Sequence, residues 1–214
     1  WCGWPTRVLQ VTSLGSLLLL GTLMGDWKHA LVFGTLPGFW FIATRPTTVD
    51  GPAMLLALAS SMLFPEHPAV AIAISLLSGF IHERGPVFAA LYAWNPILLV
   101  GLGAVGWWRT AADADGDIRV GRGFLWSLGI HRQDHDWLSW EQNVFALRGL
   151  PLFAVGYGVS PAAWVTLAFT WASRLVGSDL ARYAVWAAPL MVRELPDLPA
   201  WMVMLHALTF KRMF

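Results

Sequence analysis

The sequence predicts an all-α fold: a polytopic integral membrane helical bundle with about six to eight membrane segments, several of them short or broken. Composition is the first observation behind this prediction, because 57% of the 214 residues are hydrophobic and only 13% are charged. A soluble domain carries about 25% charged residues. The mean hydropathy of +0.56 agrees with a membrane protein. Many of the 14 tryptophans stand at the edges of apolar runs, as in the aromatic belts of bilayer proteins.

Apolar runs separated by short polar connections predict the individual segments. A helix needs about 20 apolar residues to cross the hydrocarbon, so the shorter runs are expected to be kinked or to rely on polar flanks. Adjacent short runs can form one broken segment, and we expect breaks at Pro37 and at Asn95-Pro96. The predicted runs are Val8–Met24, Ala30–Ala43, Pro52–Phe64, Ala69–Ile81, Val87–Trp108, Val144–Val159, Pro161–Val176, Tyr183–Met191 and Ala200–Phe210.

One membrane domain with three regions follows from this pattern. N-terminal membrane helices occupy residues 1–108, a polar and amphipathic surface segment occupies 109–143, and C-terminal membrane helices occupy 144–214. The middle region interleaves charges with aromatic residues, as in segments that lie on a membrane surface. Its acidic run Asp113–Asp117 departs from the calcium-loop pattern, and His131 and His135 lack the rest of a zinc-protease motif. The pattern therefore favours a solvated segment over a metal site.

Net charge, cysteine content and the absence of common catalytic motifs narrow the expected partners, cross-links and chemistry. A net charge of +1 gives no strongly basic surface, so we expect no nucleic-acid partner. Lipids are the expected partners, and the expected location is the bacterial cytoplasmic (inner) membrane. The single cysteine, Cys2, excludes an intrachain disulfide. The sequence has no phosphate-binding loop and no nucleophile elbow, which leaves the ionisable residues at the segment ends as candidates for chemistry.

His82, Glu83 and Arg84 stand in a row between two apolar runs. Charge at such a place is costly unless it lies at the interface, faces a cavity or is paired. Asp50, at the start of the third run, is expected on the same face, where it could pair with Arg84 and leave Glu83 as a base or a metal ligand. Two structural interpretations stay open. Glu83 and Arg84 could form a solvated turn at the headgroups, and Asp50, which precedes a Gly-Pro pair, could cap a helix.

These residues also carry a family resemblance. Val49-Asp50-Gly51-Pro52, followed by two apolar spans around a short turn and then by His82-Glu83-Arg84-Gly85-Pro86, resembles the middle of polytopic membrane glycosyltransferases of the C-type fold. Ser178-Asp179-Leu180-Ala181-Arg182, before an apolar run with Pro189, is similar to the late part of some members. The resemblance covers about Thr44–Pro96 and Ser173–Phe210.

The resemblance implies a transferase that moves a sugar from a polyprenyl-phosphate donor, which in the family is used by an acidic residue of the first outward loop. In this chain that loop is Gly25–His29 and its only acid is Asp26. A carboxylate would take the proton of the acceptor hydroxyl, and an arginine fork would hold the donor phosphate. The expected catalytic residues are Asp26, Asp50 and Glu83, and the expected substrate-binding residues are His82, Arg84, Asp179 and Arg182.

A second class of function stays open: a non-catalytic integral membrane subunit of a larger membrane complex, with or without a pigment or cofactor. Many tryptophans and short spans suit a protein wedged against other membrane subunits. His206, within the apolar stretch Trp201–Phe210, could ligate a chlorophyll-type magnesium or a haem iron. A lone helical histidine more often hydrogen-bonds a neighbouring helix. The sequence therefore leaves the cofactor unknown.

Overall fold

The structure is a computed structural model that describes residues 6–36, 39, 42–43, 49–112, 158–172, 185–197, 199–201 and 204. All regular secondary structure in these residues is helical, which confirms the all-α prediction. None of the described helices combines the length and the apolar character needed to cross a membrane. The predictions on Asp179, Arg182, His206 and the surface segment beyond Ala112 lie outside the described residues.

Most described helices lie within or near a predicted apolar run, but the second helix ends at Gly34, nine residues before the predicted end at Ala43, and the helix of the run Tyr183–Met191 begins only at Ala188. Their bounds are α1 Thr6–Leu23, α2 Trp27–Gly34, α3 Asp50–Leu63, α4 Pro68–Ile81, α5 Arg84–Ala93, a 3-10 turn Pro96–Leu99, α6 Val100–Ala112, α7 Pro161–Ala172 and α8 Ala188–Arg193.

Helices α3 and α4 form an antiparallel hairpin at the centre of the described fold. Ser60, near the end of α3, donates to the Ala71 carbonyl near the start of α4 at 2.7 Å. Ser78, near the end of α4, donates to the Ala53 carbonyl near the start of α3 at 2.8 Å. Because each hydroxyl bonds the partner helix at the opposite end, the two bonds fix both the direction and the register of the pair. Pro68 at the first turn of α4 suits a sharp restart of the helix.

Two glycines allow neighbouring helices to approach closely. A Cβ on Gly51, in the first turn of α3, would lie 2.7 Å from the Ser13 carbonyl oxygen of α1. A Cβ on Gly85, in the first turn of α5, would lie 2.9 Å from the Ser78 carbonyl carbon of α4. Both distances are shorter than a side chain tolerates, so glycine is required where α3 crosses α1 and where α5 turns back onto α4.

The predicted fifth run is broken, as expected at Asn95-Pro96. Helix α5 ends at Trp94, which adopts the left-handed conformation with φ of 52°. The Asn95 side chain then accepts a hydrogen bond from the Ile97 N–H at 3.0 Å and starts the 3-10 turn. The chain continues into α6, which packs against α4. One apolar run therefore yields two helices joined by a capped break.

Two helices, α4 and α7, place small hydroxyl side chains inside and large apolar side chains outside. In α4, Ser75 and Ser78 are fully buried while Val70 and Leu77 are 51% and 52% exposed. In α7, Thr166 and Thr170 are buried while Val165 and Phe169 are exposed. In these two helices the distribution is the reverse of a soluble amphipathic helix. Helix α1 is apolar on both sides: it buries Leu17 and Leu20 beside Ser13 and Ser16, and it exposes Val11, Leu18 and Leu19.

Candidate functional site

Asp50 lies wholly inside the protein, at the first position of α3. Val49 occupies the N-cap position and contributes no side-chain hydrogen bond, so the interpretation of Asp50 as a helix cap is wrong. The Asp50 side chain is 0% exposed, and its Oδ1 accepts a hydrogen bond from Nε1 of Trp186 at 3.0 Å. Trp186 belongs to the turn that precedes α8 and is itself fully buried. A carboxylate at such a depth needs partners of this kind, because burying an unsatisfied charge is very costly.

His82 sits directly against Asp50. Helix α4 ends at Ile81, and the extended His82 follows it, donating its backbone N–H to the Ser78 carbonyl at 2.8 Å. Its Nε2 lies 3.7 Å from Asp50 Oδ1, and its Nδ1 accepts the backbone N–H of Arg84 at 3.2 Å. Because Nδ1 is an acceptor, the neutral ring carries its proton on Nε2, which faces the carboxylate. The imidazole thus lies between the Asp50 carboxylate and the first backbone N–H of α5.

Trp186 joins the carboxylate and the imidazole to the aromatic core. Its ring centroid lies 4.8 Å from that of Phe88 and 5.7 Å from that of His82, the latter in an edge-on arrangement. The Tyr92 hydroxyl donates a hydrogen bond to the Trp186 carbonyl oxygen. Aromatic contacts of this geometry add to the burial of the rings. The turn before α8 is therefore fixed onto α3 and α5 through a single side chain and its backbone.

Glu83 lies at the surface of the site, and Arg84, the next residue, is half-buried. The Glu83 side chain is 53% exposed, and its Oε2 lies 3.9 Å from His82 Nδ1. Arg84 opens α5, and its Nη1 is buried. The structure thus brings four of the expected site residues together, with Asp50 and His82 inside and Glu83 at the surface. An exposed carboxylate can accept a proton from a molecule that reaches it from outside.

Asp26 belongs to a different set of contacts. It caps α2, since its Oδ1 accepts the backbone N–H groups of Lys28 and His29 at 3.0 Å each. The same oxygen lies 2.6 Å from Nδ1 of His29, whose Nε2 donates to the Leu195 carbonyl at 3.0 Å. The hydrogen bonds from His29 lower the pKa of Asp26 below its ordinary value of 3.8. This carboxylate therefore serves to join α2 to the segment after α8.

The same segment is held at two further points. Lys28 Nζ lies 2.5 Å from Asp197 Oδ1. The Glu194 carboxylate accepts two hydrogen bonds from Ser160, from its backbone N–H at 2.6 Å and from its hydroxyl at 2.7 Å. Ser160 precedes α7, and its hydroxyl oxygen also accepts the Ala163 N–H at 3.3 Å. These contacts hold residues 194–197 against α2 and against the start of α7.

Sequence reasoning missed the most connected residue of the site, Trp186. It stands inside the predicted run Tyr183–Met191, where a tryptophan is typical of core or interface. The one available signal is chemical: a buried indole N–H needs an acceptor, and a carboxylate inside an apolar protein needs a donor. That rule predicts the kind of partner but not that residue 186 meets residue 50.

No protein-family model, no curated protein sequence and no solved structure matches this chain. A function proposed for this chain therefore rests on the residues of the site, their geometry and the resemblance described for the sequence.

Proposed function

We propose that this chain is an integral membrane protein, and the inverted polarity of α4 and α7 is the observation that supports this. Helix α4 contains no charged residue, and its exposed side includes Val70, Leu77 and Phe80. Its two serines instead donate inward, Ser75 to the Leu98 carbonyl at 2.9 Å and Ser78 to α3. Exposed apolar area costs about 25 cal/mol per Å² in water and nothing comparable in lipid. Small hydroxyls that bond between helices are typical of membrane bundles.

For its activity we propose sugar transfer from a polyprenyl-phosphate donor at the surface formed by Glu83 and Arg84. The supporting observation is the half-exposed Glu83 carboxylate beside the buried pair of Asp50 and His82. The acceptor hydroxyl oxygen would attack C1 of the sugar, and its proton would pass to Glu83. The bond between C1 and the phosphate oxygen would break, and its electron pair would leave with the lipid phosphate. The Arg84 guanidinium would hold that phosphate.

The environments of the three acidic candidates support this division of roles. Asp50 is fully buried and already accepts the Trp186 N–H, so its proposed role is to orient His82. Asp26 is engaged in capping α2. Glu83 stands at the N-cap position of α5, but its side chain makes no capping hydrogen bond and is 53% exposed. It is therefore the residue that a bound acceptor could reach.

The test measures transfer from a labelled polyprenyl-phosphate sugar by the purified protein in proteoliposomes. We expect Glu83→Gln to lower the rate by about 10²–10⁴-fold, the usual loss of a general base. Glu66→Gln is the matched control, because Glu66 is also exposed but lies at the opposite end of α4. Arg84→Lys keeps the charge but loses the fork, and should weaken donor binding more than turnover. Transfer by Glu83→Gln at the unmodified rate would contradict the proposal.

A non-catalytic membrane subunit is the second candidate. The enclosure of Asp50 and His82 favours it, since a carboxylate that is 0% exposed gives a substrate no access. Purification under mild conditions, followed by a visible absorption spectrum, tests this alternative. A pigment band, or a larger complex of fixed stoichiometry together with no binding of a polyprenyl-phosphate sugar, would support the subunit and exclude the transferase.

A further inference from the structure

The apolar face of α4 is short and has an exposed carboxylate at each end. Glu66, in the link before the helix, is exposed, and the Glu83 side chain after it is 53% exposed. Between them α4 runs over 14 residues without a charge. At 1.5 Å per residue this stretch is about 21 Å long. The distance between the two charged ends is thus set by the helix itself.

The register of the hairpin gives its two helices the same short length. Helix α3 also has 14 residues, and the bonds Ser60–Ala71 and Ser78–Ala53 align its ends with those of α4. The hydrocarbon core of an ordinary bilayer is about 30 Å thick. If both carboxylates are to reach water or headgroups, the hydrocarbon at this place must be thinner than about 30 Å, by at most about 9 Å when the helix alone spans it, since a charge inside the hydrocarbon is costly.

We infer that the α3–α4 hairpin crosses a locally thinned bilayer and that its exposed face is fitted to short lipid acyl chains. This inference rests on the proposed membrane location and not on the proposed transferase activity. Segments shorter than the hydrocarbon are accommodated by thinning, and the mismatch becomes smaller as the acyl chains shorten. The arrangement places Glu83 and Arg84 at one headgroup layer and Glu66 at the other. Lipid phosphate groups lie at the depth of the candidate site.

The experiment uses the full chain in vesicles of phosphatidylcholine with acyl chains of about 14, 18 or 22 carbons. The thermal midpoint of the unmodified protein is measured in each lipid. In a Cys2→Ser background, single cysteines at Glu66, Leu77 and Glu83 carry a spin label or an impermeant thiol reagent. We expect the highest midpoint in the shortest lipid. Positions 66 and 83 should react from opposite sides, and the label at 77 should contact lipid.

Two results separate failure of this inference from failure of the membrane proposal. A label at Leu77 that contacts water in every lipid would overturn the membrane location, and the inference with it. A lipid-facing label at Leu77, combined with labelling of 66 and 83 from one side or with a midpoint that is highest in the longer lipids, would overturn the thinning alone. Val70→Cys provides a second lipid-facing position, and the midpoint measurement needs no substitution.

Discussion

Replacement of Trp186 by phenylalanine isolates the hydrogen bond that joins the candidate site to the last described helix. Phenylalanine keeps a ring against Phe88 but removes the Nε1–H that Asp50 Oδ1 accepts at 3.0 Å. Both side chains are 0% exposed, so water does not replace the lost donor. A hydrogen bond to a charged group contributes about 1.5–3 kcal/mol. The void left by the smaller ring adds about 1 kcal/mol, which gives an expected loss of about 2.5–4 kcal/mol.

The measurement is the free energy of unfolding in mixed micelles, for variants that refold reversibly. Trp27→Phe is the matched control, because Trp27 is 64% exposed and its replacement should change stability by less than about 0.5 kcal/mol. A double-mutant cycle with Asp50→Asn should give a coupling energy of about 0.5–3 kcal/mol, since the two side chains are in contact. If Trp186→Phe is no more destabilising than Trp27→Phe and the cycle is additive, the reasoning about this bond is refuted.

The remaining predictions concern packing and pH. Gly85→Ala should destabilise the fold by about 1–3 kcal/mol, because its methyl group would collide with the Ser78 backbone. Gly103 has open space around it, so Gly103→Ala should be neutral or stabilising in the same unfolding assay. Similar effects of both substitutions would show that α4 and α5 are not in close contact. The pKa of Asp26 is lower in the folded protein than its ordinary value of 3.8, which applies to the unfolded chain. The free energy of unfolding that the ionised Asp26 contributes is therefore fully present above pH 3.8, and it is lost as the pH falls through the pKa of the folded state. Unfolding curves between pH 2 and pH 6 should therefore lose part of their acid sensitivity in Asp26→Asn, and an unchanged pH dependence would argue against the cap formed with His29.

The helices of the described fold were predictable because local chemistry determines them. Pro68 and the short turn before it separate α3 from α4, and Asn95-Pro96 breaks the fifth run, as the backbone preferences of proline require. The cluster of His82, Glu83 and Arg84 near Asp50 was also expected, from the alternation of spans. The helix ends depend on residues close together in sequence, and the placement of Asp50 near His82 depends only on the order of the spans.

The partners of the site residues were not predictable, since they come from distant parts of the chain. Trp186 meets Asp50 across 136 residues, and Leu195 meets His29 across 166. Nothing in the composition of either segment encodes that pairing. Asp50 illustrates the consequence. Its position before Gly51-Pro52 favours a helix cap, but the crossing with α1 buries the start of α3 and directs the carboxylate inward.

Burial is what distinguishes carboxylates that are equivalent in sequence. A general base must come within hydrogen-bond distance of the proton that it removes. Asp50 meets the electrostatic requirement of a site, with a donor and an imidazole beside it, but offers no surface to an acceptor. Glu83 offers that surface, and its Oε2 stands 3.9 Å from Nδ1 of His82. The buried carboxylate therefore suits the positioning role proposed for it, and the exposed carboxylate suits the proposed role of base.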